Sequence, residues 1–164
     1  MRFLVDPGAG RLARARAPVR AFLAFAALAV LAHLLQRASG GGLSAEEVEL
    51  HYLGAAPGEG LPRAALWEEL HAGAFLYGFL LFMVGALLPT CRLRRAAGQA
   101  LFAAAVAASL ADLGAPFLVT ALGGAGAVRV ATTLLAPLAL LAAVGAILAT
   151  FGAGAPPRPE RARG

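Results

Sequence analysis

Four apolar segments, each long enough to cross a lipid bilayer, occupy most of this 164-residue chain. They cover approximately residues 19–35, 71–89, 96–120 and 128–151, and a helix needs ~20 residues to span about 30 Å of hydrocarbon. Hydrophobic residues make up 60% of the chain and charged residues only 14%, whereas soluble domains average about 25% charged residues. The sequence therefore predicts an all-α, polytopic membrane protein built as a bundle of four transmembrane helices.

The connecting segments are too short for a second domain. Residues 1–18 form a basic leader, and residues 36–70 form an outer loop between the first two spans. Residues 152–164 are rich in Pro, Gly and Arg, and we expect them to be a disordered tail. The prediction is one transmembrane domain over residues 19–151.

The outer loop carries a helix-capping pattern. Ser44 can accept a hydrogen bond from a first-turn amide while Glu47 reaches back to the cap. This pattern predicts a short helix from about Ala45 to Tyr52. Proline and glycine then interrupt the chain before Arg63, where we expect the second long helix to begin above the membrane.

The positive charge is distributed asymmetrically along the chain. Lys and Arg together number 14, all of them Arg, and the net charge is +5. Because positively charged residues mark cytoplasmic segments, both termini and the middle loop are predicted to be cytoplasmic, and the Glu-rich segment 36–70 to lie outside, in a bacterial inner membrane. The arginines that define this pattern are Arg2, Arg11, Arg14, Arg16 and Arg20, then Arg92, Arg94 and Arg95, then Arg158, Arg161 and Arg163.

The first span also has the outline of a signal peptide, since small residues follow its apolar core. Cleavage would leave three spans. We expect an uncleaved signal-anchor, because the basic leader is long and the apolar run reaches Leu35.

Four ionisable residues lie within the apolar segments: His33, His71, Asp112 and Arg129. Such residues are costly in a membrane unless they are paired or solvated, so they are the default candidates for function. All four fall in the outer halves of their predicted spans. Small residues share their helical faces, which favours an orientation into the bundle.

Asp112 is the most informative of these residues. Its nearest predicted partners are Arg129 and Thr132 or Thr133, across the tight turn between the third and fourth spans. The favoured interpretation is a structural ion pair or hydrogen bond. The alternatives are a proton-relay or ligand-binding carboxylate and a residue lining a shallow outer cavity. Pro116, one turn later, should kink the helix and free a carbonyl near Asp112.

The histidines suggest two cofactor hypotheses. His33 and His71, on separate spans at similar depth, could be the axial ligands of a b-type haem. His51, in the outer loop, could join His71 and nearby glutamates around a metal ion, although three histidines on three segments show no ligand spacing. The primary prediction is no cofactor and no metal.

Other chemistries lack sequence support. The chain has no phosphate-binding glycine loop, nucleophile elbow or zinc-protease motif, and its single cysteine, Cys91, has no catalytic partner. Enzymatic activity is therefore not expected. The arginines flank apolar spans without interleaved aromatic residues, so nucleic acid is not expected as a partner either.

Three sequence blocks carry a resemblance: GLSAEEVELHYLG, WEELHAGAFLYGFLLFMVGALLPT and ADLGAPFLV. Together they resemble a group of small bacterial four-span inner-membrane proteins. The resemblance implies signature positions at Glu69, His71, Phe75 and Asp112, and it implies the four-span architecture. Where a second histidine is expected near His71, this chain has Gly73.

These observations lead to one primary hypothesis and two alternatives. The primary hypothesis is an accessory, structural or interaction protein of the inner membrane with a polar cluster of His33, Glu69, His71, Asp112 and Arg129. The alternatives are a haem-binding electron-transfer protein and a small transporter or sensor in which Asp112 titrates. The expected partners are the lipid bilayer and other membrane subunits or a second copy of the chain.

Overall fold

A computed structural model of the chain describes residues 9–91 and 93–152. Throughout this part of the chain the regular elements are helical, which confirms the all-α prediction. The predicted disordered tail and the start of the basic leader lie outside the described residues. The helices are α1 (Ala9–Gly41), α2 (Ala45–Leu53), α3 (Arg63–Leu87), α4 (Arg95–Leu122) and α5 (Gly126–Gly152), with a 3₁₀ turn at Leu88–Thr90.

Within the described residues, four helices are long and apolar enough to cross a membrane: Arg16–Gly40, Arg63–Thr90, Arg95–Leu122 and Gly126–Thr150. The first extends beyond the predicted end at Leu35, because no proline or glycine follows in α1 before Gly40. The chain leaves the helix at Gly42, whose φ of 77° is readily adopted only by glycine. As a result, Arg37 lies on α1 and not in the outer loop.

The four long helices form a ring that is loose at one junction. α1 packs against α5, α5 against α4, and α4 against α3. The junction between α3 and α1 has far fewer backbone contacts, and part of it is closed by the rings of Phe22 and Phe79, whose centroids are 5.9 Å apart. The other part, near the C-terminal end of α1, forms a cleft.

The core is apolar over most of its length. Small side chains such as Ala105, Ala136 and Ala143 are completely buried and allow close helix approach. Larger side chains fill the remaining space between helices, including Leu23, Leu140 and Ile147. Among the described residues, the buried polar side chains lie in the half of the bundle that carries α2, called here the α2 end.

α2 lies across the ends of α4 and α5 and buries Val48 and Tyr52. The predicted cap is present, since Ser44 Oγ accepts from the Glu47 amide and the Glu47 side chain accepts from the Ser44 amide. These hydrogen bonds lower the pKa of Glu47. The Gly126 amide, at the start of α5, donates to Glu49 Oε1 at 3.0 Å. A side chain on Gly126 would clash with the Ala45 backbone, so glycine permits this close approach.

Candidate functional site

One charged side chain from each of the four long helices meets at the α2 end. Arg37 comes from α1, Glu69 from α3, Asp112 from α4 and Arg129 from α5. These four residues are called the charge cluster. With two arginines and two carboxylates, the cluster is electrically balanced. Such balance is required at this position, because removing an unpaired charge from water costs several kcal/mol.

Asp112 forms the most buried part of the charge cluster, with no exposed surface. Its Oδ1 accepts from Arg129 Nη1 at 2.6 Å and from Thr133 Oγ1 at 3.3 Å. Its Oδ2 accepts from the Tyr77 hydroxyl at 2.8 Å. The predicted contact of Asp112 with Arg129 and Thr133 is therefore present, whereas Thr132 donates to the Arg129 carbonyl instead. Because both carboxylate oxygens have donors, this geometry favours a fixed ion pair.

Pro116 explains a second contact between α4 and α5. A proline inside a helix has no N–H, so the carbonyl four residues earlier loses its helical partner. That carbonyl belongs to Asp112, and Arg129 Nη1 donates to it at 2.8 Å. The expectation that Pro116 frees a carbonyl near Asp112 is confirmed. Arg129 thus contacts both the carboxylate and the backbone of one residue.

Glu69 connects the two arginines. Its Oε1 accepts from Arg129 Nη2 at 2.6 Å and lies 2.9 Å from Arg37 Nη1. The Tyr52 hydroxyl donates to both carboxylate oxygens at 2.9 Å. Burial and the negative charge of Glu69 raise the pKa of Tyr52, so this hydroxyl keeps its proton and remains a donor. Tyr52 thereby ties α2 to the charge cluster.

Arg37 is the least satisfied member of the charge cluster. Its Nε donates to His33 Nε2 at 2.8 Å, which places the remaining ring proton of neutral His33 on Nδ1. Its buried Nη1 lies 2.9 Å from Glu69 Oε1 and 3.7 Å from Asp112 Oδ2, but neither contact has hydrogen-bond geometry. Arg37 Nη1 therefore has two ionic partners and no hydrogen-bond partner.

A cavity of about 370 Å³ lies over the charge cluster, in the cleft between α1 and α3. Its size is at the low end of the ~300–1,000 Å³ typical of small-molecule sites. α2 contributes His51 and Tyr52 to one side of it. The two long helices contribute His33, Gln36 and Arg37 from α1, and Ala65, Glu68, Glu69 and Ala72 from α3.

The structure places His71 outside the charge cluster. Its side chain is exposed on the bundle surface, as are Ala74 and Gly78 on the same helical face. The prediction that this face points into the bundle is therefore wrong. The buried face of α3 consists mainly of larger residues such as Tyr77 and Leu80, because these fill the space between helices better than a stripe of alanine and glycine. The signature position Phe75 is likewise exposed.

The histidines are not arranged as a ligand pair. His33 Nε2 already accepts a hydrogen bond, and His33 packs edge-on against Tyr77 with centroids 5.7 Å apart. His71 is not among the residues that line the cavity. Among the described residues, no group of three or more His, Cys, Asp or Glu is placed to hold a metal ion. Haem ligation by His33 and His71 stays a prediction that this geometry does not favour.

Sequence reasoning missed three residues of the site: Arg37, Tyr52 and Tyr77. Arg37 was assigned to the loop because the apolar run ends before it, although its spacing of four residues from His33 was a usable signal. Tyr77 carries a hydroxyl group within an apolar span. A polar group inside such a span is the same kind of signal that identified Asp112. No local signal indicates that Tyr52 reaches Glu69, because that contact depends on how α2 folds back.

The comparison with protein families gives one match. The model of the Aq_1264_TM family, described as a transmembrane helical domain, matches residues 42–154. The matched part contains α2 to α5 and therefore Glu69, Asp112 and Arg129, while α1 with Arg37 precedes it. No match was found among curated proteins or solved structures. The match covers more than half of the chain, and together with the four apolar helices it shows that this integral membrane protein belongs to the Aq_1264_TM family of transmembrane helical domains.

Proposed function

We propose that this protein is a non-catalytic accessory subunit of a bacterial inner membrane, which recognises a partner protein through its α2 end. The observation that carries the proposal is the construction of that end. A balanced charge cluster fixes four helices and α2 relative to one another. A surface held this firmly is preorganised for binding, since little ordering remains to be done when a partner docks.

The outward face of α2 supports an interaction role. Val48 and Tyr52 anchor α2 to the bundle, while Leu50 on its other face is 57% exposed. Leu43, which precedes α2, is 48% exposed. Both residues lie outside the four candidate spans, so lipid tails do not account for their exposure. Exposed apolar side chains on an ordered, water-facing surface are typical of protein interaction sites.

Site-specific photocrosslinking in native membranes tests this proposal. A photoreactive phenylalanine analogue is placed at Leu43 or Leu50, with Glu59 as the control because it is exposed in the same loop but is not apolar. We expect one discrete protein adduct from both leucine positions and none from Glu59. An adduct with the mass of two chains identifies the partner as a second copy. No protein adduct at either leucine, or an equal adduct at Glu59, contradicts the proposal.

We further propose that both termini and the loop after the 3₁₀ turn are cytoplasmic, and that the α2 end faces the periplasm or the outside. The support is charge: the loop around residues 92–95 holds three arginines, whereas the segment containing α2 holds several glutamates. This orientation would place the Leu43 and Leu50 surface on the side that extracytoplasmic domains of partners occupy.

Thiol labelling tests the orientation. Cys91 is replaced by serine, since burial raises the pKa of its thiol and makes it a poor reporter. Single cysteines are then placed at the exposed positions Glu59 and Leu93. We expect a membrane-impermeant maleimide to label Glu59→Cys in intact spheroplasts and to label Leu93→Cys only after the membrane is disrupted. The reverse pattern would show that the bundle is inverted.

A further inference from the structure

The cavity between α1 and α3 has walls of opposite charge. Arg37 lines it from α1 and Arg129 from α5, while Glu68 and Glu69 line it from α3. The guanidinium of arginine is always charged. A simple anion in this cavity would be repelled by the two carboxylates, and a simple cation by Arg37. A ligand with an anionic group and an ammonium group matches both walls.

The position of the cavity suits a lipid. It lies at the ends of two candidate spans, the C-terminal end of the first and the N-terminal end of the second. Beside its lining on α3, the bundle surface is apolar, with Phe75 76% exposed. Because α1 and α3 hardly touch through their backbones, a lipid can approach this cleft from the side.

Arg37 supplies an independent indication of a ligand. Its side chain is only 10% exposed, it lines the cavity, and its buried Nη1 has no hydrogen-bond partner of acceptable geometry. Buried polar atoms without partners are rare in folded proteins. Nη1 faces Glu69 and Asp112, so an anionic oxygen in the cavity would accept from the part of the guanidinium that lines it, since arginine carries several N–H donors.

We propose that this cleft binds the zwitterionic headgroup of a phosphoethanolamine-type lipid, with the phosphate against Arg37 and the ammonium group against Glu68. The acyl chains then lie along Phe75 on the surface of α3. The cavity volume of about 370 Å³ suits a small headgroup. Lipid binding at this site requires no partner at Leu43 or Leu50 and no particular orientation in the membrane. It can therefore be tested independently of the proposed protein interaction.

Native mass spectrometry of the purified full chain in mild detergent tests the proposal. The probes are phosphatidylethanolamine, phosphatidylcholine and phosphatidylglycerol with identical acyl chains. The quaternary ammonium of phosphatidylcholine has no N–H to donate to Glu68, and phosphatidylglycerol has no cation. We therefore expect half-saturation with phosphatidylethanolamine at about tenfold lower lipid concentration than with either of the others.

Two variants and a control locate the site. Glu68→Gln should weaken phosphatidylethanolamine binding about tenfold and leave phosphatidylcholine binding unchanged. Glu68 is exposed and is not a member of the charge cluster, so this variant is expected to fold normally. Arg37→Gln should weaken the binding of all three lipids. The matched control is Glu46→Gln, which removes an exposed glutamate that does not line the cavity.

Equal half-saturation by the three lipids would overturn the proposal, as would unchanged phosphatidylethanolamine binding in Glu68→Gln. Soluble phosphoethanolamine, which shares the headgroup chemistry, distinguishes a lipid from a free zwitterion as the natural ligand. We expect no displacement of the bound lipid by millimolar phosphoethanolamine, because it lacks the acyl chains. Displacement of the bound lipid by phosphoethanolamine would contradict the proposal that the natural ligand is a lipid.

Discussion

Replacing Asp112 with asparagine is expected to lower the free energy of unfolding of the bundle by about 3–5 kcal/mol. The amide keeps the shape of the side chain but removes its charge. Arg129, whose side chain is only 4% exposed, then loses one of its two counter-ions, and Tyr77 and Thr133 lose a charged acceptor. The measurement is equilibrium unfolding in mixed micelles, with helix content followed by circular dichroism while the denaturing detergent is increased.

Ser109→Ala is the matched control, one turn earlier on the same helix. Ser109 is as deeply buried as Asp112, but its hydroxyl has no hydrogen-bond partner. Removing an unsatisfied buried hydroxyl should be neutral or slightly stabilising. If Asp112→Asn unfolds at the same detergent fraction as Ser109→Ala, the charge cluster does not hold the bundle together.

Arg129→Met should be comparably destabilising, by about 3–5 kcal/mol. Methionine approximates the apolar stem of arginine but leaves Asp112 and Glu69 facing each other with Arg37 as their remaining cation. It also leaves the Asp112 carbonyl, freed by Pro116, without its donor. Arg129 lies over the Tyr52 ring at 5.9 Å, so we also expect limited proteolysis to cut the segment around α2 faster. The control is Arg63→Met, which changes an exposed arginine.

A double variant tests whether Asp112 and Arg129 stabilise the bundle as an ion pair or through independent contacts. Asp112→Leu combined with Arg129→Met removes both buried charges, and replacing a buried pair by apolar residues is often neutral or stabilising. We therefore expect the double variant to be more stable than either single variant of the pair, measured by the same unfolding titration. Strictly additive losses would argue that each residue acts through separate contacts.

These stability effects bear on the alternative in which Asp112 is a titrating group of a transporter or sensor. A carboxylate whose two oxygens both accept hydrogen bonds must lose or reverse at least one of them when it takes up a proton. Asp112 has donors on both oxygens and a second link through its carbonyl. The geometry therefore favours a fixed structural role, which is consistent with an accessory protein that presents a rigid surface.

The helices were predictable because their signals are local. Apolar segments long enough to cross a bilayer are visible in the sequence, as are the Ser44 and Glu47 cap and the start of α3 at Arg63. The Asp112 and Arg129 contact was also predictable, because a short turn at Gly123 and Gly124 joins α4 to α5. Costly charges on adjacent helices have few other partners.

The wrong assignments of His71 and Arg37 have a common physical cause. His71 was assigned to the interior from a face of small residues, but small residues occur on both buried and lipid-facing surfaces of this alanine-rich chain. Arg37 was assigned to a loop because its charge ends the apolar run, although the helix continues to Gly41. Hydropathy reports which segments prefer lipid, but it does not report which side of a transmembrane helix meets its neighbours.

The sequence by itself determined that the chain is helical and crosses a membrane. In hydrocarbon the backbone N–H and C=O groups of apolar segments of this length need partners within the segment, and a helix supplies them. It also determined that Asp112 and Arg129 need partners. Only the tertiary structure decided that Arg37 and Glu69 complete the charge cluster, that Tyr52 ties α2 to it, and that α1 and α3 part to form a cavity. Those contacts join residues far apart in the chain, and their geometry depends on how four helices pack together.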